Sequence, residues 1–315
     1  MCTYQASQSP AHLIITGRNP SKLQQSIDAL KAEFPDVDYR LLQIDLSSQA
    51  SVRAGAAQAL SWTDIPTINI IINSAGVALI PERTLSEDGI ELTFATNHIG
   101  HFLLTSLLMP KVLLAAKTNP KGTTRIINVS SGSPHTAGMR WSDPNFETTN
   151  ADLPPDEQPN YAFHAAWNMP DAQRLAYTPL EAYNQSKVAN VLFGIALTRR
   201  LYAAHGVLSL AVHPGVIRTE LARSASAEIV QGIQSMFETG VYTYKTLGAG
   251  SATSLVAALD PGLGPGEVRE GGENWGAFLV DCQIVQPGHP RAARSDEAER
   301  LWALSERLVG EQFAW

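Results

Sequence analysis

Apolar positions along this chain fall into two alternating patterns. Short runs that are apolar almost throughout, HLIIT (His12–Thr16), YRLLQI (Tyr39–Ile44), INIIIN (Ile68–Asn73), RIINVS (Arg125–Ser130) and LSLAVH (Leu208–His213), are separated by longer stretches with apolar residues at helical spacing. Runs that do not alternate predict strands buried on both faces, because a strand with one wet face would be polar at every second position. Helices are predicted to about Phe34, over SQASVRAGAAQAL, through a long region ending near Lys117, and from about Leu180 to Ala203. The alternation predicts an α/β fold, a doubly wound parallel sheet in a single domain over residues 1–315. No internal repeat, low-complexity tract or Gly/Ser/Pro-rich linker divides it. One segment breaks the rhythm: residues 132–179 are irregular and proline-bearing, and hold Trp141, Phe146, Tyr161, Phe163, Trp167 and Tyr177. A stretch of that length in a compact domain is expected to be functional, its aromatics reading equally well as a local core or as a substrate wall.

Composition narrows the partners. A chain of 315 residues, 44% hydrophobic and 17% charged, can bury one sizeable core. With 23 Lys and Arg against 30 Asp and Glu, net −7, and no basic block, no nucleic acid partner is expected. Apolar stretches such as VANVLFGIAL (Val188–Leu197) are too short to span a bilayer, and the N-terminus lacks the basic-then-apolar order of a signal peptide. The expectation is a cytoplasmic protein with no transmembrane segment. Cys2 and Cys282 lie near opposite ends and could form at most one bridge. His98 and His101 are three apart on a helix, but no further His, Cys or acid cluster completes a metal site, so they read as packing residues.

The candidate chemistry sits where strands end. YNQSK places Tyr183 and Lys187 four apart on one face of a predicted helix. A phenol titrates near pH ~10, and a neighbouring ammonium stabilises its anion, so the pair is expected to make a usable proton donor. Alone the spacing is a common surface pattern. Its company is not: INSAG and INVSSG close two successive strands, with ATNHIGHFLLT between them.

With these motifs in order, the sequence resembles the short-chain dehydrogenase/reductase family, and within it the retinol-dehydrogenase-like branch found among fungal metabolic reductases, from about Ala11 to Leu308. The resemblance implies a Rossmann-like fold and an oxidoreductase interconverting a carbonyl and an alcohol on an apolar small molecule, in secondary metabolism. It implies Ser131, Tyr183, Lys187 and Asn97 as catalytic residues: Ser131 bonding the substrate oxygen, Tyr183 giving the proton, Asn97 holding a water that relays protons to Lys187. It implies cofactor contacts at Asp45 of Asp45-Leu46, Asn73 of NSAG, Tyr183, Lys187, and Ile217 and Thr219 of HPGVIRT, with residues 132–179 as a substrate-loop insertion. A homo-oligomer is one assembly open to it.

The stretch AHLIITGRNPSK then corresponds to the family's second strand, whose end meets the adenosine ribose. An acid there selects NAD, whereas Arg18, with Lys22 a turn on, implies NADP. By that alignment the family's first strand, Gly-rich turn and first helix should come earlier, yet only the atypical residues 1–10, MCTYQASQSP, stand there. They contain no glycine to receive a pyrophosphate. GAGSAT (Gly248–Thr253) begins a helix after a helical stretch, and GLGPGE (Gly262–Glu267) is a Pro-broken loop, so both read as structural. Two readings result: an NADP-dependent reductase, or a cofactor-deficient, non-redox homologue that binds a ligand or a partner.

Overall fold

The computed structural model describes residues 2–315. A short helix, α1 (Cys2–Ala6), precedes β1 (His12–Gly17), α2 (Pro20–Glu33), β2 (Asp38–Gln43), α3 (Gln49–Ser61) and β3 (Ile70–Asn73). Next α4 (Leu92–Phe94) runs through a π-helical turn, Ala95–Ile99, into α5 (Gly100–Ala116), and β4 (Thr124–Val129) follows. The insert carries α6 (Tyr161–Ala166) and leads into α7 (Pro179–His205) and β5 (Val207–His213). The remainder comprises β6 (Val216–Ile217), α8 (Ala227–Glu238), β7 (Tyr244–Lys245), α9 (Leu247–Leu259), β8 (Glu267–Arg269), β9 (Gly272–Trp275), β10 (Phe278–Val280), β11 (Gln283–Ile284) and α10 (Ser295–Val309). GAGSAT therefore follows a two-residue strand, β7, rather than a helix directly.

The expected parallel sheet forms, in the order β11-β10-β5-β4-β3, parallel except for the terminal β10–β11 hairpin. Every residue of β4 is buried, because helices cover both faces. Ile126 packs with α3, α5, α7 and α10, whereas its neighbour Ile127 points to α9. The pair β1–β2 is a separate parallel sheet, registered from His12 opposite Asp38 to Gly17 opposite Gln43. Leu42 and Ile44 join the core against α3 and α5, while Ile15 packs under α2 with Leu23 and Ile27.

Among the described residues no strand lies between β1 and β3, and each has one edge without a ladder partner. Their exposure follows: Leu13, Ile14, Ile70, Ile71 and Ile72 are only half-buried. On the α2 side, α1 packs against β1, α2 and α9, with Ala6 fully buried.

Two expectations need revision. The helix Leu92–Ala116 is long and apolar enough to cross a membrane, so the apolar stretches are not all too short for that. Its window is 72% buried inside the protein, which accounts for the apolar character all round. The insert, in turn, is two structures rather than one. Its first half is stapled to α10: the Trp141 indole N–H donates to Glu297 Oε2 at 2.6 Å, and the Arg300 guanidinium lies 4.7 Å from the Trp141 ring centroid. Arg140, buried under the Phe146 ring, bonds Asp143, Asn150 and the Thr148 carbonyl. Only the second half, with Phe163 and Trp167, packs beside Tyr183.

Candidate active site

Four elements converge at one end of β4. The strand hands the chain to Ser130 and Ser131; α7 presents Tyr183 and Lys187 from one face; the π turn presents Asn97; and the loop after β3 passes by at Gly76. Helix α7 is held in register by its surroundings. Thr178 caps it by accepting from the Glu181 N–H, Pro179 starts it, and Leu180 to Leu197 are buried with the single exception of Tyr183. The π turn widens the helix where Asn97 must reach sideways, a common device at functional sites.

The Lys187 ammonium donates to the Val129 carbonyl at 3.0 Å, and the Ser130 hydroxyl donates to the Lys187 carbonyl at 2.6 Å, so strand end and helix are tied in both directions. Buried, Lys187 has its pKa pushed down to about 8 by desolvation. Its Nζ lies 5.6 Å from the Tyr183 ring centroid. Burial pushes the Tyr183 phenol up to about 12, offset in part by the Ser131 hydroxyl that faces it. The expected lowering of the phenol by Lys187 is therefore not what this arrangement shows. Desolvation penalises both charged forms, and the ammonium spends a donor on Val129.

Asn97 clamps the loop at Val77, accepting from its N–H at 2.8 Å and donating to its carbonyl at 2.9 Å, and it also donates to Ser186 Oγ at 3.0 Å. Gly76 must be glycine, since a Cβ there would stand 2.9 Å from Asn97 Oδ1 and 3.6 Å from Lys187 Nζ. The same loop is held by His101, whose Nε2 donates to the Ala75 carbonyl at 2.8 Å. His98 sits among Phe94, Phe102 and Phe193 with Nε2 on Ser305 Oγ. Burial pushes His101 to about 4 and His98 to about 3, so both are neutral core residues.

The other residues expected at a cofactor are spread out. Arg18 is exposed just past β1, with no ion pair among the described residues, and its carbonyl accepts from the Gln43 amide. Asp45 binds the N–H and hydroxyl of Ser47. The Asn73 side chain is spent inside the sheet, donating to Thr105 Oγ1 and Asn128 Oδ1, so it ties β3 to α5 and β4 instead of facing a ligand. Ile217 lies in β6 opposite Lys245, and Thr219 caps the turn Glu220–Ala222 by accepting from the Leu221 N–H.

The chain as a whole is similar to known proteins. The family model of short chain dehydrogenases matches residues 2–142. The chloroplastic short-chain dehydrogenase TIC 32 A of Brassica napus is 34% identical over 304 residues, covering 95% of this chain and 81% of that protein. The chain belongs to the short-chain dehydrogenase/reductase family. The oxidoreductase fscI of Fusarium equiseti is 38% identical over 215 residues, 68% of this chain and 80% of its own, and retinol dehydrogenase 12 of Bos taurus is 32% identical over 301 residues, 95% and 79%. The retinol-dehydrogenase-like resemblance and the oxidoreductase class hold. Among solved structures, an uncharacterised protein from Mycobacterium paratuberculosis superposes with a TM-score of 0.55 at 25% identity, covering 96% of this chain and 85% of that one.

A nicotinamide cofactor goes with this family. At the reacting end the residues fit it: the bare Cα of Gly76 leaves open the space beside Asn97 and Lys187 that any side chain would fill. At the far end, α2 opens on Pro20, which has no N–H, and Asn19 already accepts from the Lys22 N–H. No glycine-rich turn from strand to helix occurs there among the described residues.

Four polar residues that the motifs did not single out complete the site. Ser133, Asn184, Glu181 and His164 form a buried chain of contacts leading away from Ser131. Glu181 and Asn184 sit three apart on α7, one helical turn, which is the only trace of it in the sequence.

Proposed function

We propose that this oxidoreductase interconverts a ketone or aldehyde with an alcohol on an apolar small molecule, using NADP(H), as a cytoplasmic enzyme of secondary metabolism. The observation that carries the reading is the wall around the proton donor: Tyr183 packs with Leu79, Phe163, Trp167, Leu180 and Ile229 in one apolar cluster drawn from four parts of the chain. Such a wall takes an apolar or aromatic substrate and keeps water from the reacting carbon. The relative named for retinol, an apolar alcohol, supports the same class. The exposed Arg18, with Lys22 one turn on and no acidic residue between them, supports a phosphorylated ribose.

The chain's own groups divide the work as follows. The Ser131 hydroxyl holds the substrate oxygen, the Tyr183 O–H gives it a proton, and Lys187, its ammonium on the Val129 carbonyl, lines the open space beside Gly76. The bound nicotinamide supplies the hydride. Asn97, by fixing the loop at Val77, keeps the space beside Lys187 open. A binding protein without redox activity has no use for a half-buried phenol beside a buried amine, so the assembled Ser131, Tyr183, Lys187 and Asn97 favour the enzyme reading.

Steady-state reduction of apolar ketones and aldehydes with NADPH or NADH tests this. NADPH is expected to give the higher kcat/KM, and Arg18→Asp to reverse that order. An order unchanged by the substitution removes Arg18 from the ribose site, and no turnover of any apolar carbonyl sinks the substrate class.

A further inference from the structure

The buried polar chain that begins at Ser131 has a direction built into it. The Ser131 hydroxyl donates to Ser133 Oγ at 2.8 Å, and the Ser133 hydroxyl donates to Asn184 Oδ1 at 2.7 Å. Asn184 Nδ2 in turn donates to Glu181 Oε2 at 3.3 Å, and His164 Nε2 stands 3.5 Å from that same oxygen. All five side chains are at least nine-tenths buried. Glu181 Oε2 accepts from the Asn184 amide N–H, so Glu181 sets which way that amide faces. The amide oxygen must then turn to Ser133, Ser133 must donate to it, and the Ser133 oxygen is left as the acceptor for Ser131. The Ser133 N–H also donates to Ser131 Oγ at 3.0 Å, so the two residues grip each other.

His164 anchors the far end. Its Nδ1 faces the Asn160 carbonyl at 3.1 Å and must carry a proton to bond it, and its Nε2 meets Thr178 Oγ1, the cap of α7, at 3.1 Å. Arg140 and Tyr161 of the insert are the other ionisable groups whose charge acts around Glu181. Burial raises the Glu181 carboxyl, and His164, Asn184 and Arg140 pull it back toward ionisation.

We infer that Glu181 and His164 are positioning residues for the reaction, fixing the hydroxyl of the catalytic Ser131 through Asn184 and Ser133 and coupling it to the substrate-side half of the insert. The inference rests on the oxidoreductase reading for its kinetic consequence, but its geometry stands apart from any cofactor. With the chain intact, the Ser131 hydroxyl is drawn to Ser133 as well as to the Tyr183 oxygen that it faces. With the chain cut, its hydrogen turns to the phenol oxygen and stabilises the phenolate.

The ionisation of Tyr183 therefore reports on the relay. Ultraviolet difference titration of the full chain against its Tyr183→Phe variant isolates this phenol from the other tyrosines. Ser133→Ala is expected to lower the Tyr183 midpoint, Glu181→Gln to lower it less, and the double variant to match Ser133→Ala alone. With NADPH and phenanthrenequinone as the carbonyl probe, Ser133→Ala is expected to lose about tenfold in kcat with KM held within about twofold, the scale of one hydrogen bond. Should Glu181→Gln fail to fold, Asn184→Leu cuts the chain at its middle link with the same expectation. An unmoved midpoint in Ser133→Ala, or shifts that add in the double variant, overturns the relay. A wild-type chain that turns over no carbonyl counts against the proposed cofactor and substrate instead, and the titration still decides the relay.

Discussion

Asn97 and Val77 are joined by two hydrogen bonds, side-chain amide to backbone, at 2.8 and 2.9 Å. One side chain thus satisfies both backbone groups of a loop residue whose neighbour, Gly76, lies against Lys187. Asn97→Asp keeps the size but removes the donor, setting a carboxylate oxygen against the Val77 carbonyl. We expect a loss of about 1–3 kcal/mol in denaturant unfolding, the cost of leaving buried groups unpaired, together with a fall in kcat. An unfolding midpoint equal to that of the parent protein would show that the clamp contributes nothing.

The two tryptophans of the insert should separate in their effects. Trp141→Phe removes the indole N–H from Glu297, which keeps Arg291 on its other oxygen, and weakens the contact with Arg300, outside the cluster that holds Tyr183. Its cost is expected in thermal stability, on the order of 1.5–3 kcal/mol for a hydrogen bond to a charged group, with KM unchanged. Trp167→Ala is expected to raise KM for apolar substrates, since Trp167 packs in the cluster that holds Tyr183. Indistinguishable KM values for the two variants would refute this division.

Stability should depend on alkaline pH through the same buried pair. Lys187 titrates near 8 in the folded chain against 10.5 for an ordinary lysine, so between those values the unfolded chain holds more protons and stability rises with pH. Tyr183, near 12 against 10.0, reverses the sign: above about pH 10 the unfolded chain loses its proton first and stability falls. Thermal melts are expected to show the rise from about pH 8 to 10 and to lose it in Lys187→Met. A rise that survives in Lys187→Met would place its origin elsewhere.

Backbone exchange should expose the divided sheet. β4 lies between two strands and is buried throughout, whereas β1 and β3 each have an open edge and half-buried side chains. Amides of β1 and β3 are expected to exchange hydrogen well before those of β4 and β5. Uniform protection across all four strands would mean that the open edges are covered in solution.

The fold and the grouping of Ser131, Tyr183, Lys187 and Asn97 were legible along the chain because both rest on short-range pattern. Apolar runs marked the strands, helical spacing put Tyr183 and Lys187 on one face, and a strand end placed Ser131, each readable within a few residues. What the tertiary structure decided depends on groups far apart in sequence meeting out of water. Burial raised the Tyr183 phenol where a neighbouring ammonium alone would lower it, because desolvation acts on the whole surroundings and not on a pair. Trp141 went to the core and Trp167 to the cluster that holds Tyr183, although both lie in one aromatic segment, because α10 and α8 claim different halves of it. Asn73 turned inward because Thr105 and Asn128 offered it partners. His164 reached Glu181 across a loop whose path no periodicity describes, and a buried carboxylate has to find such partners once water is gone.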